Sequence, residues 1–245
     1  MLATISSSAT AFDARITRPA GISPRTLGRM IAVLFLISMG AGIFVEIGIA
    51  GRNVVPRDPA ATAANIVAQA SLYRMGFTIY LIEMAMQVIM TALFYQLLKP
   101  VSAPLSMLSA VLGYVGCGIK TMSRLFYLAP LFVLGGTTYA GAFAPEQRQG
   151  LTSLLLQLNE FGAAIALAFF GVSTVIQGYL IMRSTFLPRW LGVLSVAGGI
   201  GWLAFFAPAF GMRVFPVVAL IGLVGSVAMI LWLAIVGVDE GKWVA

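Results

Sequence analysis

Five ionisable residues stand inside stretches of chain otherwise too apolar to hold them: Glu46, Glu83, Lys120, Arg124 and Glu160. A charge near the centre of a bilayer costs about 2.5 to 3.5 kcal/mol on insertion scales, so each needs a partner, a water-filled cavity or an altered protonation state. Lys120 and Arg124 are spaced i, i+4, which puts their side chains side by side on one helix face, where they repel unless carboxylates lie close. Glu83 and Glu160 are placed to supply those carboxylates, with Glu46 reaching toward them, while Gln87 and Asn159 offer further hydrogen-bonding groups. Two cations against three carboxylates leave a charge of minus one. Either one glutamate is protonated or the cluster favours a cation.

The rest of the inventory removes most other chemistry. The chain has no histidine and a single cysteine, Cys117. Histidine-based zinc sites, bis-histidine haem, Cys-His pairs, Ser-His-Asp triads and intrachain disulfides therefore have no residues to use. The aspartates, Asp13, Asp58 and Asp239, all fall outside the apolar stretches, which excludes a paired-aspartate protease within the membrane. No metal and no cofactor is called for. Cys117 reads as a small buried hydrophobe.

The elements that must position these side chains are membrane spans. Of 245 residues, 60% are apolar and 9% charged, against about a quarter charged in a soluble domain, and the mean hydropathy is +0.98. Spans of about 20 residues fit at 27–50, 75–98, 105–134, 151–182, 190–210 and 214–238, giving an all-α six-transmembrane-helix bundle. Residues 1–24 are rich in Ser, Thr and Ala and read as a disordered tail, 25–238 as one transmembrane domain, and 239–245 as a C-terminal tail too short to fold. Between the first two spans, Asp58 followed by Pro59 makes an N-cap and N1 pair, which predicts a short interfacial helix. Pro130 bends the end of the third span, and Pro145 opens a helix that merges into the fourth. Spans five and six carry no charge and read as a packing platform or an oligomer face.

The basic residues sort by side. With six spans both termini share one face, which collects eight Arg and Lys, including Arg25, Arg29, Lys99, Arg183 and Arg189; the opposite face collects Arg52, Arg57, Arg74, Arg148 and Arg213. This excess places both termini in the cytoplasm, and the net charge of +7 reflects topology, with no nucleic-acid partner implied. Counted from the outer surface, Glu83 lies nine residues below Arg74, Glu160 nine below Leu151 and Arg124 ten below Leu134. At 1.5 Å per residue these depths are about 13 to 15 Å, a single layer in the outer half.

The stretch GYLIMRSTFLPRWLGVL, with VEIGIAGRNVVPRDPAATAANIVAQASLYRMG and ALFYQLLKPV earlier, resembles the bacterial family called domain of unknown function 4386, over about residues 29–206. The resemblance implies a multi-pass protein of the bacterial inner membrane and assigns no activity. Asn159 stands where members often carry a histidine, so a role that needs an imidazole there is not expected. The basic and aromatic Arg183, Arg189 and Trp190 of that motif also have a direct reading as interfacial anchors.

Three roles remain open for the charged layer. It is an outward-half pocket for a small amphipathic ligand in a binding or transport bundle, with Glu46, Glu83, Gln87, Lys120, Arg124, Asn159 and Glu160 as candidate ligand-binding residues. It is alternatively a packing network in a structural or accessory subunit, or a glutamate acid/base pair acting on a lipid-soluble substrate. The partners implied are the lipid bilayer, the small ligand, and further copies or a larger membrane complex.

Overall fold

The computed structural model describes residues 22–135 and 140–243. The expected N-terminal tail falls outside the described residues up to position 21, as do positions 136–139 of the loop between the third and fourth spans and positions 244 and 245. Every regular element among the described residues is helical, and six helical stretches are long and apolar enough to cross a membrane.

The first span opens at α1 (Pro24–Val45), where Ser23 Oγ accepts the N–H of Thr26 at 3.2 Å and Pro24 occupies the first turn, which needs no donor there. It continues through a π turn at Glu46–Ala50 and a short α2 (Gly51–Asn53), whose Asn53 Nδ2 donates to Ile49 O at 2.7 Å. The helix expected at Asp58-Pro59 is α3 (Pro59–Ala68); Asp58 caps it by accepting the N–H of Ala61 at 2.8 Å. Then come α4 (Ala70–Leu98) and α5 (Ala103–Leu128). Pro130 lacks an N–H, so α5 stops before it and the chain resumes as α6 (Pro130–Leu134). The fourth span, α7 (Pro145–Arg183), is 39 residues long, about 58 Å at 1.5 Å per residue. Gln147 Oε1 accepts the N–H of Ala144 at its start. The last two spans are α8 (Arg189–Leu203), followed by a 3₁₀ turn at Ala204–Phe206, and α9 (Pro208–Leu231), followed by a π turn at Trp232–Val236.

One boundary differs from the sequence reading. The turn expected at Gly211-Met212-Arg213 lies inside α9, which begins at Pro208. Pro208 supplies the fixed φ that starts a helix, and a Cβ at Gly211 would stand 2.8 Å from the Phe205 ring, so glycine lets the reversal finish three residues earlier.

The spans pack in chain order into a ring: α1 on α4, α4 on α5, α5 on α7, α7 on α8, α8 on α9, and α9 with its π turn back on α1. At the end that holds the first and last described residues, Leu27, Ile31, Leu97, Leu180, Leu191 and Leu233 make one core. At the far end, Val45, Ile49, Ile66, Tyr73, Tyr127 and Leu156 make a second, and α3 packs there against α6 and α7. The seam between α7 and α8 is made by glycines seven residues apart on each helix. A Cβ at Gly178 would stand 2.7 Å from Gly192 O, and one at Gly199 would stand 2.9 Å from Gly171 O. Two antiparallel backbones approach this closely only without side chains between them.

The ring is not of even height. Phe205, at the far end of the α8–α9 hairpin, packs against Ala164 and Ala168, so the hairpin stops level with that part of α7. The nineteen residues from Pro145 to Ala163 run on beyond it beside α3 and α6. At the terminal end, the last described residues are docked: Trp243 Nε1 donates to Leu97 O at 3.0 Å and Asp239 N–H to Phe186 O at 3.3 Å. Residues 239–243 of the expected tail 239–245 thus lie against the bundle.

Candidate functional site

The inward face of α4 is a stripe at helical spacing, Tyr73, Gly76, Tyr80, Glu83, Gln87, Thr91 and Phe94, and it carries the polar groups of the site. Glu83 Oε1 accepts from Lys120 Nζ of α5 at 2.8 Å, with their side chains 10% and 19% exposed. The carboxylate fits because α1 presents Gly42 there; a Cβ at that position would stand 3.3 Å from Oε1. Arg124, one turn along α5 and only 4% exposed, is held differently. Its guanidinium lies over the face of Tyr80, 3.6 Å from the ring centroid, and Nη1 donates to Asn159 Oδ1 of α7 at 3.0 Å. Tyr80 in turn donates its hydroxyl to Glu46 Oε2 at 2.7 Å. A cation on the ring face and a carboxylate on the hydroxyl couple Arg124 to Glu46 through one aromatic side chain.

Three tyrosines brace this arrangement. Tyr73 stacks on Tyr127 with centroids 4.2 Å apart and donates to Tyr127 O at 2.6 Å, while Tyr80 meets Tyr127 edge-on at 5.3 Å. Gly76 leaves the space for the Tyr127 hydroxyl, 2.8 Å from where its Cβ would be. Among the described residues, three buried polar atoms of the cluster have no hydrogen-bond partner: Glu83 Oε2, Arg124 Nε and the Tyr127 hydroxyl.

Of the seven sequence candidates, Glu83 and Lys120 meet directly, and Arg124 meets Asn159. Glu160 does not meet Arg124; it is one residue on from Asn159, about 100° around the helix, and is exposed. It sits one turn beyond Ala164, above the end of the short hairpin, so no sixth-span or fifth-span wall covers it. Its electrostatic neighbour is Glu46, which is also exposed. Among the described residues, neither Glu46 nor Glu160 forms a salt bridge. The first and sixth spans join through Leu27, Ile31, Met229 and Leu233 at the terminal end. The far half of the ring is thus open on the side between α1 and α7, and these two carboxylates flank the opening.

Deeper in the bundle is a central cavity of about 230 Å³ to which all six spans contribute, through Phe35, Gln87, Gly113, Thr174, Trp202 and Ser226 among others. Leu167 and Thr174 of its lining fall on the same face of α7 as Glu160, at intervals of seven residues, or about 10 Å. Gln87 joins the two regions, lining the cavity one turn inward of Glu83. Sequence reasoning missed this chamber because spans five and six carry no charge. The available signal was their small and polar residues, Ser195, Gly198, Gly222 and Ser226, at helical spacing.

A ring of six apolar helices around a buried ion pair and a polar chamber defines a multi-pass membrane bundle. The profile of the family described as Domain of unknown function (DUF4386) matches residues 30–237, and the chain belongs to that family. No curated protein and no solved structure matches it.

Proposed function

We propose that this protein is a binding protein of transport type in the bacterial inner membrane, with both termini in the cytoplasm, that receives a small amphipathic cation at its outer half. The observation that carries this reading is the pair Glu46 and Glu160. They are exposed, they bear on each other electrostatically, and among the described residues they have no cationic partner. Two like charges at the rim of an opening, beside a low-dielectric wall, attract a cation from the outer leaflet. The inner charges do not cancel this attraction, because Lys120 is already paired with Glu83 and the single charge of Arg124 offsets only one of the two rim carboxylates. Arg213, five residues into the sixth span from Pro208, lies near its outer end in this orientation.

The test uses the purified protein with octylammonium and octanoate as probes. A hundredfold excess over Kd of a ligand that binds only the folded state adds about 2.7 kcal/mol, or roughly 5 to 10 °C in melting temperature for a chain of this size. Octylammonium is expected to raise the melting temperature and octanoate to leave it unchanged. Glu160→Gln and Glu46→Gln should each remove the protection. Equal protection by octanoate, or full protection in both variants, would overturn the proposal.

A further inference from the structure

The central cavity differs in chemistry from the rim above it. Among the described residues no ionisable side chain lines it. Its aromatic walls are Phe35, Phe94, Phe170 and Trp202, from four different spans. Some of its polar side chains are satisfied within the protein: Thr91 donates to Gln87 O at 2.8 Å, Ser173 to Ser109 O at 2.8 Å, and Ser195 to Leu191 O at 2.9 Å. Gln87, Thr174 and Ser226 are not. Each is half-buried and lines the cavity, and among the described residues none makes a side-chain hydrogen bond. An amide and two hydroxyls without partners among the described residues, lining one cavity in the middle of a membrane bundle, are free to hydrogen-bond a ligand with matching groups.

We infer that this cavity is a binding site for an uncharged single-ring molecule bearing a carboxamide or hydroxyl group. Charge is disfavoured because the lining has no counterion to offer. Size follows from volume: a protein cavity of about 150 Å³ accommodates benzene, so about 230 Å³ takes one ring and one polar substituent. The ring stacks against the aromatic walls, and the substituent pairs with Gln87 from one side and Thr174 or Ser226 from the other. The inference shares with the proposed function the reading of the bundle as a binding protein, and it uses none of the rim carboxylates.

The experiment is fluorine NMR on the full chain in nanodiscs, with 4-fluorobenzamide as the probe and 4-fluorobenzoate as its charged counterpart. Saturable binding of the amide and none of the benzoate is expected. Gln87→Leu should weaken the amide about tenfold, the size of one lost hydrogen bond. Ser226→Leu, which fills the void, should abolish binding. If that variant fails to fold, Thr174→Val removes a hydroxyl at nearly constant shape and should weaken binding severalfold. Glu160→Gln, which removes octylammonium protection, should leave the amide bound as before. Absence of saturable binding to the folded wild type, or unchanged affinity in Gln87→Leu and Thr174→Val, would overturn the inference. Loss of amide binding in Glu160→Gln would do the same by moving the probe to the rim, whereas failure of octylammonium alone would count only against the cation reading.

Discussion

Lys120 and Arg124 occupy adjacent turns of one helix yet are stabilised by different physics. Lys120 has a carboxylate at 2.8 Å; Arg124 has an aromatic face and an amide oxygen. The guanidinium tolerates this because its planar charge is weakly hydrated and stacks on rings, which a lysine ammonium does less well. Removing one member of the buried pair leaves the other charge uncompensated, so Lys120→Met is expected to destabilise by about 3 to 5 kcal/mol. Lys120→Met with Glu83→Leu should recover most of that loss. Melting of the two single variants and the double variant checks this; additive losses would mean that the pair is not coupled. The charged residues Glu83, Lys120 and Arg124 were conspicuous in the sequence, because charge stands out in an apolar run. The partner of Arg124 was not. Counting residues along a helix fixes height, but Asn159 and Glu160 share a height and differ by about 100° in direction, which depends on where the neighbouring helix lies.

At the scale of elements, the seam between α7 and α8 depends on bare backbone at Gly171, Gly178, Gly192 and Gly199. Gly178→Leu should part the two helices and lower the yield and melting temperature of the folded bundle sharply, whereas Gly118→Leu, where nothing lies within 4 Å of the added Cβ, should be tolerated. Similar melting of the two variants would show that the close approach is not needed. Helix starts carrying proline after a capping residue, such as Asp58-Pro59, were readable, since cap and ring geometry are local. The start of α9 at Pro208 was harder, because the apolar run is continuous and the turn is chosen by Gly211 fitting Phe205. The π turn beginning at Glu46 left no mark in the sequence at all. It inserts extra backbone at Glu46, the residue whose carboxylate accepts the Tyr80 hydroxyl.

The whole molecule is a ring tied at its terminal end. Asp239 accepts from Lys242 at 2.9 Å and from the N–H of Gly241 at 3.2 Å. Hydrogen bonding from Lys242, aided by its charge, holds the Asp239 carboxyl below the usual range. A carboxyl with a lowered folded-state value stabilises above its unfolded value, about 3.9, and loses that contribution as pH falls through the lowered value. Docking of residues 239–243 should therefore be constant at neutral pH and loosen only in strong acid. Trp243 emission during acid titration checks this, and Asp239→Asn should loosen the segment at neutral pH and lack the acid transition.

The uneven height of the ring has a consequence for the lipid around it. The fifth span, Arg189–Phe206, is 18 residues long, about 27 Å, close to the hydrocarbon thickness of a bilayer. The other spans are 29 to 39 residues long. A short wall and tall walls in one small protein present different hydrophobic heights to the two sides of the annulus, and a bilayer answers by thinning at one side and thickening or tilting the helices at the other. The lipid is then thinnest beside span five, below the opening flanked by Glu46 and Glu160, so membrane thickness itself becomes a variable that acts on how far that opening stands clear of the acyl chains.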